Sequence, residues 1–274
     1  MADGVCKLTG SRGRFVDSHL LPKALTKAGG LGKPLMQGGK GRPPTTRHSS
    51  WYDNRLVTRA GEDILAKLDD WAIKELRKAK LVWSGWGPMT RLPDIRQIPA
   101  TGWGIRELSG VDWRLLRVFM LSLLWRAGAT EREEFGDIEI PSDDLNTLRR
   151  MVLERTPDPI EFYQTELTQL STMGFEHNHT PIAMTKTIPG LDGEPEYEVP
   201  HFRFYFDGLI VHFDRRPIDE IIHRPLGELV LGYSDTLIVT TVTYQESFQR
   251  QNLELIQAEA DSWMSNRANT KKSD

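Results

Sequence analysis

Cys6-Lys7-Leu8-Thr9, followed by Arg14-Phe15-Val16 and Ser18-His19-Leu20-Leu21-Pro22, is the stretch on which the reading of this chain turns. Thr9, Gly10, Ser11 and Gly13 between them supply a turn, and the branched and aromatic residues Phe15 and Val16 suit a short strand after it. His19 stands directly before an apolar step and a proline, so its imidazole is expected at a strand end, stiffly held. An imidazole with an unperturbed pKa near 6.5 takes a proton well at neutral pH, which makes His19 the candidate catalytic base.

Downstream, Ile64, Leu65, Leu68, Ala72, Leu76 and Ala79 recur at spacings of three and four. They predict an amphipathic helix from Glu62 to Lys80 with one buried stripe. Glu62 and Asp69 lie seven residues apart, about two turns, so they share a helix face. Asp63 and Asp70 read as solvated acids in the helix's N-terminal half.

These residues resemble the opening of HNH-type nucleases, the ββα-metal fold. Cys6-x-x-Thr9, Ser18-His19-Leu20-Leu21-Pro22 and Leu56-Val57-Thr58-Arg59-Ala60-Gly61-Glu62 are similar to a subfamily with Cys-x-x-Cys, Ser-His-Ile-Ile-Pro and Leu-Leu-Cys-x-x-Cys-Glu. Phe119-Met-Leu-Ser-Leu-Leu-Trp125-Arg126 resembles a later stretch of the same subfamily, which extends the likeness to about half the chain. The resemblance implies phosphodiester hydrolysis with His19 as general base. It also implies one divalent cation, Mg or Mn, held by Glu62 with help from Asp69 or Asn54. Thr9, Thr58 and Gly61 stand where the family has cysteines of a structural zinc site, so Cys6 alone remains and no four-ligand zinc sphere is expected. Such a zinc contributes about 10–16 kcal/mol to folding, so this segment is expected to be held by packing against the rest of the chain. Ser18 stands where other HNH enzymes carry an acidic or histidine metal ligand, and a hydroxyl is a poor substitute.

The net charge of −3 conceals an asymmetry. Residues 1–60 hold eleven Lys and Arg against three Asp, a net +8, and the remainder carries −11. A basic stretch around the candidate base suits a polyanion, so nucleic acid is the expected partner, contacted by Arg12, Arg14, Lys23, Lys33, Lys40, Arg42 and Arg47. Gly29-Gly30, Gly32, Gly38-Gly39, Gly41 and Pro43-Pro44 read equally as a flexible, solvated loop. A loop of that kind can also close over nucleic acid.

The chain has 274 residues, a single cysteine and no secretory pattern at its start, and the expectation is cytoplasmic. Val111–Ala127 is the most apolar stretch, but Arg114, Arg117 and Arg126 interrupt it and Val118–Trp125 is too short for the ~20 residues of a bilayer span. It reads as a buried central helix. Trp83 and Trp86 mark the end of the preceding helix and are expected to anchor the join. A strand-like connection covers Trp103–Leu108, and helices are predicted from Ser142, as cap, to about Leu153 and over Pro157–Leu170. Strands over His201–Phe206 and Leu209–Phe213 flank Asp207-Gly208, a strong hairpin signal, with Phe202, Phe204 and Phe206 on one face. Glu228–Leu231 and Thr236–Tyr244 read as further strands, and Glu246–Met264 as a closing helix.

The expected class is α+β: an N-terminal degenerate ββα-metal-like motif with the basic Gly-rich loop (1–88), central helices and an antiparallel sheet with a closing helix (89–264), and a polar tail (265–274). His177 and His179 have a spacing metals can use but lack a third ligand, and His201, His212 and His223 read as structural. No phosphate-binding loop, serine elbow or two-histidine zinc helix is present. Two functions remain: an HNH-like endonuclease, in antiviral or mobile-element biology such as phage defence, and an inactive nucleic-acid-binding or protein-interaction module that keeps the fold.

Overall fold

The computed structural model describes residues 2–26, 35–39, 42–47, 50–188, 196–223, 226–251, 254 and 258, with the backbone alone for 35–39 and 42–47. The chain runs β1 (Asp3–Val5), β2 (Arg12–Arg14), β3 (Ser18–His19), β4 (Leu35–Gly39), β5 (Arg42–Arg47), β6 (Tyr52–Asp53) and α1 (Arg59–Lys78). It continues with β7 (Arg96–Gln97), β8 (Trp103–Ser109), α2 (Trp113–Ala129), α3 (Ser142–Glu154), β9 (Thr165–Leu170) and β10 (His177–His179). Then come β11 (Ile182–Ile188), β12 (Tyr197–Phe206), β13 (Leu209–Asp214), α4 (Ile218–His223) and β14 (Thr236–Val242), with helical backbone again at 248–251, 254 and 258.

β1 and β2 form a small antiparallel ladder whose turn is closed by Gly10, at φ +73°, donating from its N–H to the Cys6 carbonyl. β3 pairs antiparallel with β6, placing Ser18 opposite Asp53 and His19 opposite Tyr52, and α1 follows at once. This is a strand–strand–helix unit with an insertion between its strands. The insertion carries β4 and β5, where the sequence suggested a flexible loop. β4 finds its backbone partners in β10, in parallel, and in β5, antiparallel. Pro43 and Pro44 lack N–H groups, and β5 is accordingly an edge strand.

The seven-stranded sheet has the order β11-β12-β13-β9-β14-β8-β7 and is antiparallel except where β14 meets β9. Phe202, Phe204 and Phe206 face the main core with Val211 and Phe213, while Tyr205 and Ile210 face a second cluster built on Trp83, Trp86 and Tyr244. A strand buried on both faces reads as a nearly continuous apolar run, which is the pattern of β12. Asp207 and Gly208, at φ +51° and +80°, make the hairpin turn their sequence announces.

α2 is buried all round, as its apolar composition predicts. Two of its arginines are fully buried, and each is held by acceptors in a different way. Arg117 donates to the carbonyls of Pro157, Pro159, Phe162 and Tyr163 and to Thr165 Oγ1. That carbonyl cage corrects the expectation of a helix over Pro157–Leu170: the first half is loop wrapped on Arg117, and the second half is β9, paired on both edges. The expected strand at Glu228–Leu231 is a single tight turn, Gly227–Leu229, with one bridge from Val230 to Glu166. α3 has Pro141 at its cap position, so Ser142 is its first helical residue and caps nothing.

Leu8, Leu20, Leu21, Leu56 and Val57 belong to the same core cluster as Leu116, Phe119 and Leu123 of α2 and the phenylalanines of the sheet. No helix among the described residues is long and apolar enough to cross a membrane.

Candidate active site around His19

The site begins at the Cys6–Gly10 turn, which lies over the start of α1. Cys6 is 1% exposed, and its sulfur accepts a hydrogen bond from Thr9 N at 3.4 Å. Burial pushes the thiol pKa up, but hydrogen bonds from Thr9 and Thr58 outweigh it and hold the thiol below its usual value. A Cβ built on Gly61 would stand 2.6 Å from the same sulfur. Cys6, Thr9, Thr58 and Gly61 thus converge on one point, and one thiol with hydrogen-bonding neighbours fills it.

This turn fixes the backbone on which the candidate base sits. Val16 N donates to Val57 O, Leu20 N donates to Trp51 O, and His19 is held between them on the β3–β6 pair. The His19 ring is half-buried. Burial lowers its pKa first; the Glu62 carboxylate acts upward, Lys23 and Arg126 downward and Asp69 upward again, with the net below the ordinary value. Glu62, Lys23, Arg126 and Asp69 are all within electrostatic reach of the imidazole, and the net effect favours its neutral, proton-accepting form.

Two polar atoms beside it are left unused. Ser18 is fully buried and its Oγ has no hydrogen-bond partner; Glu62 Oε2, in the first turn of α1, is buried and unpartnered in the same way. Such atoms carry a desolvation cost unless a ligand or water engages them.

Asp69 is differently placed from its expected role. Both of its oxygens are taken by Arg126, which donates from Nη1 at 2.9 Å and from Nη2 at 2.5 Å. Arg126, 1% exposed, also donates from Nη1 to the His19 carbonyl at 3.2 Å and from Nη2 to Ser122 Oγ. Asn54 is exposed in the turn after β6, next to Asp53, whose Oδ2 accepts from Thr130. Among the described residues no group of three His, Cys, Asp or Glu side chains could hold a metal ion. Mg²⁺, however, commonly takes only one or two carboxylates, with waters and substrate phosphates completing its shell, and Glu62 offers a free oxygen of that kind.

Of the expected nucleic-acid contacts, Arg12 and Arg14 are exposed on β2 and Lys23 is exposed in the turn after Pro22. Arg42 and Arg47 lie on β5, while Lys33 and Lys40 fall outside the described residues. His177 and His179 do not face a common ligand: each Nδ1 contacts a main-chain carbonyl, and His177 Nε2 meets Gln249.

No family model matches this chain, and no match to it is found among curated proteins or solved structures. Arg126 is the residue that sequence reasoning overlooked. Its signal was present, because a charge inside an all-round apolar helix must be paired or hydrogen-bonded.

Proposed function

We propose that this protein is a metal-dependent nuclease of the HNH-like class, hydrolysing phosphodiester bonds in a nucleic acid. The observation that carries the reading is the β3–β6–α1 unit, with His19 on the strand pair and the unpartnered Glu62 Oε2 in the first turn of the helix. In this reading His19 takes the proton of the attacking water, and Lys23 with the exposed arginines of β2 draws in the phosphate backbone. A divalent cation at Glu62 would supply positive charge for the leaving oxygen. The resemblance in Cys6-x-x-Thr9, Ser18–Pro22 and Leu56–Glu62 supports the same class, and the proposed setting is cytoplasmic, with phage defence as the proposed role.

The second reading is a binding module that keeps the fold without catalysis. The pairing of Asp69 with Arg126 favours it, since that pairing removes one of the two helix carboxylates a cation would use. Cleavage of labelled single- and double-stranded DNA and RNA, with magnesium or manganese, separates the two. His19→Ala is expected to lower cleavage by roughly 10²–10⁴-fold with binding and melting temperature retained. A folded His19→Ala protein with full activity would overturn the mechanism, and absence of cleavage with either metal would leave the binding module.

A further inference from the structure

Five arginines are buried among the described residues, and four of them are fixed by acceptors. Arg106 reaches Gln169 and Asp94, Arg117 its carbonyl cage, Arg126 both oxygens of Asp69, and Arg216 both oxygens of Asp214. Arg203 is the exception. It is 6% exposed, and no described residue accepts a hydrogen bond from its guanidinium; its Nε is buried without a partner, as are those of Arg106 and Arg126, but the Nη atoms of those two are bonded. Its one defined contact is with the ring face of Phe248, 4.6 Å from the centroid. Burial pulls its pKa down to about 10, and no carboxylate acts against that.

The neighbourhood is basic, and its acids are occupied. Arg203 lies on β12 directly opposite His212 of β13, and His201, two residues back on the same face, holds the His212 ring edge-on at 4.5 Å. His201 is fixed through Nδ1 to the Val199 carbonyl. Glu166 is tied to Lys186 at 3.0 Å, and Asp214 is tied to Arg216 at 2.6 Å. A guanidinium fork beside an imidazole, with no free carboxylate near, matches an oxyanion. The site also adjoins the attachment of β4, whose neighbour β5 carries Arg42 and Arg47: β10, which pairs with β4, stacks its His177 on Tyr205, two residues along β12 from Arg203.

We propose that Arg203 and His212 form a phosphate-binding site on the Tyr205 face of the sheet, away from the main core, with the guanidinium as the fork and the imidazole as the second donor. The inference is independent of the nuclease reading, because it uses no residue of the His19 site. Phe248 covers one side of the guanidinium and is itself 39% exposed, and the ligand tested is a single phosphate group, free or on a nucleotide.

The test is thermal unfolding of the whole chain in inorganic phosphate, in a nucleoside monophosphate and in the unphosphorylated nucleoside, each at matched ionic strength. Either phosphate, at about five times its dissociation constant, is expected to raise the melting temperature by about 2–4 °C, and the nucleoside to leave it unchanged. Tighter binding of the monophosphate assigns the site to nucleotide phosphates, and equal binding assigns it to free phosphate. Arg203→Met is expected to abolish the response and to raise the melting temperature in phosphate-free buffer, since an uncompensated buried charge is gone. His212→Phe is expected to weaken binding about tenfold through loss of one donor near a charged group. No response in the unaltered protein, a response that survives Arg203→Met, or an Arg203→Met chain that unfolds would each overturn the proposal.

Discussion

Gly61 sits where the backbone of α1 passes close to the Cys6 sulfur. An alanine in a helix interior is favoured over glycine by about 1 kcal/mol, so α1 by itself would prefer Ala there. The added Cβ, however, would stand 2.6 Å from Cys6 Sγ and 3.0 Å from Val57 Cβ. Overpacking of that kind costs about 1–3 kcal/mol, so Gly61→Ala is expected to lower stability despite the helical gain. Urea unfolding measures the loss, and adding Cys6→Ala to the same chain is expected to restore part of it by removing the sulfur. Equal stability of Gly61→Ala and the unaltered protein would show that the sulfur is free to move. The convergence of Cys6, Thr9, Thr58 and Gly61 was legible because their spacing repeats a paired-ligand pattern. That hydrogen bonds to a single thiol now fill the point was not legible, since it depends on where Thr58 turns its side chain.

Among elements, the contact between α1 and α2 decides how the candidate site is held. Asp69 and Arg126 are 57 residues apart in sequence, and nothing local links them. Read alone, Asp69 is one of several acids on an amphipathic helix; in place, it forms a two-armed pair with a buried arginine that also grips the His19 carbonyl. Breaking a buried pair strands the other charge, so Arg126→Met is expected to destabilise by about 3–5 kcal/mol. Asp69→Leu in the same chain should recover much of that loss. A double variant no more stable than Arg126→Met would refute the coupling. β9 teaches the same lesson. In Thr165–Leu170 the apolar residues Leu167 and Leu170 are three apart, which suits a helix as well as a strand, and only pairing with β13 and β14 settles it as strand.

For the whole molecule, one core joins the N-terminal motif to the rest. Leu8, Leu20, Leu56 and Leu65 pack in the same cluster as α2 and the inner face of the sheet. With a single cysteine where the resemblance would place four, residues 1–88 are expected to be held by packing, through that shared core and through Trp83 and Trp86 in the second cluster. A fragment of residues 1–88 is therefore expected to show no cooperative unfolding transition, and the full chain to melt in one, unaffected by chelator. A cooperatively folded fragment would show that the motif is self-sufficient.

The sequence by itself determined the α+β class, the position of the motif helix, the buried central helix and the Asp207-Gly208 hairpin, because each rests on periodicity or turn chemistry within a few residues. It also marked His19 and Glu62, whose residue types and spacing carry their own chemistry. Only the tertiary structure decided the partners of the buried arginines, the strand at β9 and the docking of β4 on β10. Those features depend on acceptors and strand edges brought together from segments far apart in the chain, and no local pattern encodes which distant group will satisfy a buried charge or an open backbone edge.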